Sequence, residues 1–155
     1  MDALDFKVLR RLQEFGRDSW TNLGSLLGIT AQAAADRVHK LEQQGVIHSY
    51  AALVDPDAVG LHLMAFVSVT LERPRFRGNF LEHVTSLSEV QECHHVSGDD
   101  DYILKLRCRS LSDLERLVST EIRGMPGVLR TRTTVVLRTS KETLALPLVT
   151  GPVET

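Results

Sequence analysis

Residues 26–45 read Leu26-Leu27-Gly28-Ile29-Thr30-Ala31-Gln32-Ala33-Ala34-Ala35-Asp36-Arg37-Val38-His39-Lys40-Leu41-Glu42-Gln43-Gln44-Gly45, "LLGITAQAAADRVHKLEQQG". Gly28 stops a helix that ends in leucines, and Thr30 offers a hydroxyl to the free amides of the next one. Ala34, Val38 and Leu41 then recur at spacings of four and three, the buried face of a helix that runs to Gly45. Only "GIT" separates the two helices. That spacing is a helix-turn-helix.

Upstream, Leu4, Val8, Leu9, Leu12 and Phe15 form one helical stripe ended by Gly16, and Ser19 caps a short helix whose Leu23, Leu26 and Leu27 face inward. Downstream, "VIHSYAALVDP" (46–56) is β-prone and is read as a linker strand, the wing of a winged-type helix-turn-helix. Beyond residue 60 the period changes. "LHLMAFVSVTL" (61–71) alternates as a strand, and Phe80, Leu81, Val84 and Leu87 return to helical spacing. "EVQECHHV" and "YILKLRC" are strands joined by "SGDDD", whose Gly and Asp residues favour a turn. Leu114, Leu117, Val118 and Ile122 make a second helical stripe, "GMPG" breaks it, and "VLRTRTTVVL" is a last strand. The order β-α-β-β-α-β is ferredoxin-like. The fold class is therefore α+β, with a helix-turn-helix domain at 1–50, a linker strand at 51–60 and a ferredoxin-like domain at 61–155.

Composition excludes little. The chain has 155 residues, 43% hydrophobic and 25% charged, as ordinary globular proteins do. No apolar run approaches the roughly 18 residues that span a bilayer, so a cytoplasmic protein is expected. Two small domains bury little surface, which makes oligomerisation an expectation. Cys93 and Cys108 sit in strand-like segments and are expected to be free, buried thiols. The net charge of −2 rules out indiscriminate nucleic-acid binding, so a DNA-binding reading rests on the motif.

The third helix presents Gln32, Arg37, His39 and Lys40 to solvent, and such a helix fits a major groove about 12 Å wide. Gln can pair with an adenine edge and Arg with guanine, Ala33 can touch a thymine methyl, and Thr30 stands at the helix start. Asp36 repels phosphate.

"CHHVSGDDDY" (93–102) gathers a thiol, two imidazoles and three carboxylates. A metal site is disfavoured, because side chains alternate along a strand and His94 points away from Cys93 and His95. No metal and no cofactor are assigned. A nucleophile is disfavoured too, since neither Ser97 nor Cys93 has an oriented base in the pattern. The plain alternative is structural: Cys93 in the core, histidines satisfied in the sheet, and Asp101 bracing the turn.

Four blocks of the chain resemble the Lrp/AsnC, or feast/famine, family of regulators. "DALDFKVLRRLQEFGR" fits its opening through Asp2, Asp5, Val8, Leu9, Leu12, Gly16 and Arg17. "LLGITAQAAADRVHKLEQQGVIHSYAALVDP" fits through Gly28, Thr30, Arg37, Val38, Leu41, Glu42, Gly45, Val46, Ile47, Tyr50, Asp55 and Pro56. "VQECHHVSGDDDYILKLR" and "MPGVLRTRTTVVL" supply the other two. The resemblance implies a sequence-specific transcriptional regulator that binds double-stranded DNA and is not an enzyme. It implies a homodimer built by the sheet, assembling to an octamer, with an amino acid or similar small molecule as effector.

By the same resemblance the effector site comprises Ser97, Gly98, Asp99, Asp100, Asp101, Tyr102, Met125, Thr134, Val135 and Val136. Turn amides can hold a carboxylate and Asp side chains an ammonium group. Asp100 stands where relatives carry an aromatic or aliphatic residue, which suggests a basic or polar ligand. Gly24 and Asn22 replace a usual Ala and Glu, and Gly costs about 1 kcal/mol in a helix interior. Lys105, Arg107, Arg109, Arg130 and Arg132 share sheet faces that could bind an anionic ligand or the DNA backbone, and the favoured expectation is that they pair with Glu92 and other acids across the dimer interface. Siroheme decarboxylases resemble the same two-domain architecture and stand as the alternative. Their Arg-rich segment after the third helix is replaced here by "GVIHSYAALVDP", which disfavours them.

Overall fold

The computed structural model describes residues 1–148. They form two compact units: one joins residues 1–53 to the stretch from Lys141 onward, and the other is Val54–Ser140.

The first unit holds α1 (Ala3–Glu14), α2 (Trp20–Leu27) and α3 (Ala31–Gln43). Each begins on a side-chain cap. Asp2 accepts from the Asp5 amide and Asp5 answers at the Asp2 amide, a reciprocal capping box. Ser19 and Thr30 cap α2 and α3 by accepting from the amides of Asn22 and Ala33. Val8, Leu9, Leu23, Leu27, Ala34, Val38 and Leu41 form the core, with Leu148 packed against it. Leu26 and Phe15, expected to face inward, are 55% and 51% exposed. α2 turns Leu23, Gly24 and Leu27 inward instead, and the Arg11 guanidinium stacks on the Phe15 ring 3.9 Å from its centroid.

Gly24 is buried where α2 meets the turn into α3. A Cβ there would sit 2.8 Å from the Ile29 carbonyl oxygen and 3.0 Å from the Ala31 nitrogen. The apparent defect in α2 is thus a condition of its tight approach to α3.

The expected linker strand is absent: residues 46–62 contain no strand, and the described part of this unit has no wing. A β-prone run becomes a strand only where another strand satisfies its amides and carbonyls, and this chain brings none to it. The C-terminal boundary is corrected too. The run 141–148 belongs to the helical unit, where Gln13 and the Leu146 backbone exchange two hydrogen bonds and Arg10 donates to the Leu148 carbonyl.

The second unit contains β1 (Leu63–Leu71), α4 (Arg77–Ser86), β2 (Val90–His95), β3 (Tyr102–Cys108), α5 (Leu111–Arg116) and β4 (Val128–Val135). The strands make one antiparallel sheet in the order β2-β3-β1-β4, the ferredoxin-like order. One face carries Ala65, Val67, Val69, Leu104 and Leu106 against Phe80, Val84, Leu114, Leu117 and Ile122 from the helices. After α5 the helix widens to a π-turn over Leu117–Ile122, with the Arg123 amide reaching back five residues to the Val118 carbonyl. The other sheet face bears Phe66, Ser68 and Thr70 of β1 beside Arg132 and Arg130 of β4 and Ile103 and Lys105 of β3.

Candidate DNA-reading face and effector site

On α3, Gln32, Asp36, His39, Lys40 and Gln43 are exposed at spacings of four, three, one and three, so they form one continuous stripe. The Gln32 amide donates to Asp36 at 2.9 Å. His39 meets the edge of Trp20, at the start of α2, with ring centroids 5.8 Å apart. Sequence reasoning passed over Trp20; an exposed aromatic as the first helical residue was the available signal.

Arg37 is not on that stripe. Its guanidinium turns to α1 and bonds Asp2 at 2.7 Å and Asp5 at 2.6 Å. The Asp5 amide and then Arg37 hold the Asp2 carboxyl below its ordinary value, and the two aspartates raise the guanidinium in turn. The expected guanine contact is therefore corrected to a clasp between α3 and the α1 N-terminus. Ala33 is half-buried and Thr30 is occupied as the cap. On the stripe Lys40, Gln43 and the outer side of His39 face solvent, with Gln32 available once its bond to Asp36 opens.

In the second unit the turn between β2 and β3 is built from the chain outward. The Val96 amide donates to the Asp101 carbonyl and the Asp101 amide to Val69. The Asp101 carboxylate accepts from the Leu71 amide at 2.7 Å, so Asp101 braces the turn against β1. Gly98, at φ 131°, takes a conformation that a side chain would strain. The turn bounds an open cavity of about 620 Å³ lined by Ser68, His95, Val96, Ser97, Asp99, Asp100, Ile103 and Arg132.

Asp100 is the one charged residue among those described that is buried, at 9% exposure. Its carboxylate accepts from the Thr70 hydroxyl at 3.0 Å, from Arg132 at 2.9 Å and from Arg130 at 3.2 Å. Burial pushes the group up, but the Thr70 bond and the two guanidiniums outweigh it and hold the carboxyl below its ordinary value. It stays charged and already neutralised. Two guanidiniums already balance its charge, which weakens the case for a basic ligand that the extra carboxylate suggested.

Of the expected effector residues, the cavity brings together Ser97, Asp99 and Asp100. Tyr102 is corrected to a core residue, 3% exposed and packed on the Phe80 ring with centroids 5.0 Å apart. Met125 packs on the same core from the turn after the π-segment. Thr134, Val135 and Val136 continue along and past β4, with Thr134 opposite Phe66, and do not line the cavity. His95 stacks on Tyr102 and His94 bonds Glu92 at 3.0 Å, so the two imidazoles are spent separately. Among the described residues no three His, Cys, Asp or Glu side chains converge. Lys105 pairs with Glu92 at 3.0 Å within the chain, as Arg130 and Arg132 do with Asp100. Ser68 and Thr70 were missed as site residues, and the meeting of Arg130 and Arg132 with Asp100 was not foreseen, because alternation gives the face of a strand but not what lies across it.

The AsnC-type helix-turn-helix domain model matches residues 1–42 and the Lrp/AsnC ligand binding domain model matches residues 64–146. The chain is 39% identical over 150 residues to the leucine-responsive regulatory protein of Haemophilus influenzae, covering 96% of this chain and 90% of that one. It is 38% identical over 152 residues to the Escherichia coli (strain K12) protein of the same name, covering 97% and 93%. A transcriptional regulator of Neisseria meningitidis, solved as its L-Met complex, superposes with a TM-score of 0.92 at 30% identity over 95% of this chain and 96% of that one. A feast or famine regulatory protein from M. tuberculosis complexed with L-methionine gives 0.84 at 34% identity over 91% and 95%. With helix-turn-helix, sheet topology and both domain models in agreement along its length, the chain belongs to the Lrp/AsnC family of transcriptional regulators.

Proposed function

We propose that the chain regulates transcription by laying the Gln32–His39–Lys40 stripe of α3 in the major groove of double-stranded DNA. The second unit binds an amino-acid effector at the turn over residues 96–100. The observation that carries this reading is the pairing of a continuous exposed stripe on α3 with a polar cavity on the sheet unit. The L-methionine complexes of two structural neighbours support an amino acid as the class of effector. The sheet's second face, where Phe66 is 38% exposed, is the surface for a homodimer, and such dimers assemble to an octamer. The effector acts by favouring one assembly state over another, which requires different affinities for the two.

The protein is not an enzyme in this reading and works in the cytoplasm. No helix among the described residues is long and apolar enough to cross a membrane. The siroheme decarboxylase alternative draws no support from the relatives, which are named as regulators. A gel-shift with DNA from the protein's own upstream region, at low salt where phosphate contacts are strongest, should show retardation. Absence of any retarded band would overturn the DNA-binding half. Thermal shift across the twenty amino acids tests the other half.

A further inference from the structure

We infer that the Arg130–Asp100–Arg132 cluster tunes the effector site for an amino acid with an acidic side chain. The inference rests on the effector reading above and narrows it to one ligand class. Of the eight residues lining the cavity only Val96 and Ile103 are apolar, so polar groups rather than apolar side chains dominate what a ligand meets. Its charged groups divide into two sets. Asp99 is exposed at the tip of the turn, in position to accept an ammonium group.

Opposite, Arg132 lines the cavity and shares the Asp100 carboxylate with Arg130, which is not itself a lining residue. Among the described residues Asp100 is the ionic partner of both, and their side chains are 59% and 70% exposed. Each guanidinium has five donor hydrogens in a fork suited to carboxylates, so both keep donors facing solvent. Thr70 also holds Asp100, on the oxygen that accepts from Arg130, and the trio keeps one surplus positive charge. An amino dicarboxylate answers this arrangement: its ammonium meets Asp99, and its carboxylates meet the turn amides and Arg132, whose charge Arg130 leaves uncancelled by sharing Asp100. A lysine or arginine ligand would instead set a cation against the Arg132 guanidinium.

Isothermal titration of the full chain with L-glutamate, L-aspartate, L-leucine, L-methionine and L-lysine tests this. Glutamate or aspartate should bind at least about tenfold more tightly than the other three, the size of one charge-assisted hydrogen bond. Arg132→Gln, at an exposed position, should fold normally and weaken the acidic ligand by about tenfold or more. Asp100→Asn keeps an acceptor for Thr70 while freeing the guanidiniums, and should tighten acidic ligands several-fold. A purely structural Asp100 would weaken every ligand alike. Leucine or methionine binding as tightly as glutamate would overturn the inference and leave the effector reading intact, as would an unchanged glutamate affinity in Arg132→Gln. Glutarate, which lacks the ammonium, binding as well as glutamate would reduce the site to a general anion clamp and also overturn it. No heat with any of the twenty amino acids would remove the effector reading itself.

Discussion

A guanidinium held by two carboxylates does not readily leave them for a base edge. Arg37 joins α3 to the capping box of α1, so its loss should appear as stability. Arg37→Gln is expected to lower the melting temperature by a few degrees, about what a loss of 1 kcal/mol does in a domain of this size. The DNA affinity of the folded fraction should change less than it does in Lys40→Ala. Melting curves and anisotropy titrations on the same samples separate the two. Gly24 sets helix propensity against packing. Alanine gains about 1 kcal/mol in a helix interior, but its Cβ would press on backbone atoms of the turn at 2.8 and 3.0 Å, which cannot swing aside as a side chain can. Overpacking of that kind costs about 1–3 kcal/mol. Gly24→Ala should therefore lower stability despite better propensity, and a rise in melting temperature would show that the turn yields freely.

The exposed stripe of α3 carries its own brake. Asp36 holds the Gln32 amide and, in the proposed DNA complex, places a negative charge where phosphates would approach. Asp36→Ala should raise affinity for specific and nonspecific DNA alike, whereas Lys40→Ala should lower it across sequences and reduce the salt slope by about 1. Anisotropy titrations at several salt concentrations read both effects. These elements were legible in the sequence because burial imposes a period: Ala34, Val38 and Leu41 mark the α3 core face, and Ala65, Val67 and Val69 mark that of β1. What periodicity does not carry is the identity of a distant partner. It put Arg37 in solvent, read residues 46–56 as a strand without a neighbour to pair with, and gave no sign that Arg130 and Arg132 meet Asp100 some thirty residues away. Asp101 was the reverse case. A carboxylate beside a glycine turn needs a nearby amide, and Leu71 supplies it.

At the scale of the whole chain, the polypeptide enters the sheet unit near residue 54 and leaves it near residue 140, then returns to the helical unit. The returning run docks by Leu148 on the helical core and by the Gln13–Leu146 exchange. Leu148→Ala combined with Gln13→Ala should cost the helical unit about 1–2 kcal/mol. The single tryptophan, Trp20, lies in that unit and reports its unfolding by fluorescence. Acid should act on both units together, because each holds carboxylates kept below their ordinary values. In the helical unit the Asp5 amide and Arg37 do this for Asp2, and Arg11 and Asn22 do it for Asp18. In the sheet unit His94 and Lys105 do it for Glu92, and Thr70 with the arginine pair does it for Asp100 against its burial. A carboxyl depressed by folding binds fewer protons in the folded than in the unfolded state. Its stabilisation is complete above the unfolded value, near 3.8 for the aspartates and 4.5 for Glu92, and is lost as pH falls through the folded values. The melting temperature should accordingly hold level from neutral pH to about 5 and then drop steeply below about 4. Trp20 fluorescence and far-ultraviolet circular dichroism should follow the same acid limb, and a circular dichroism transition that persists after the fluorescence change is complete would show that the sheet's Asp100 cluster resists acid on its own.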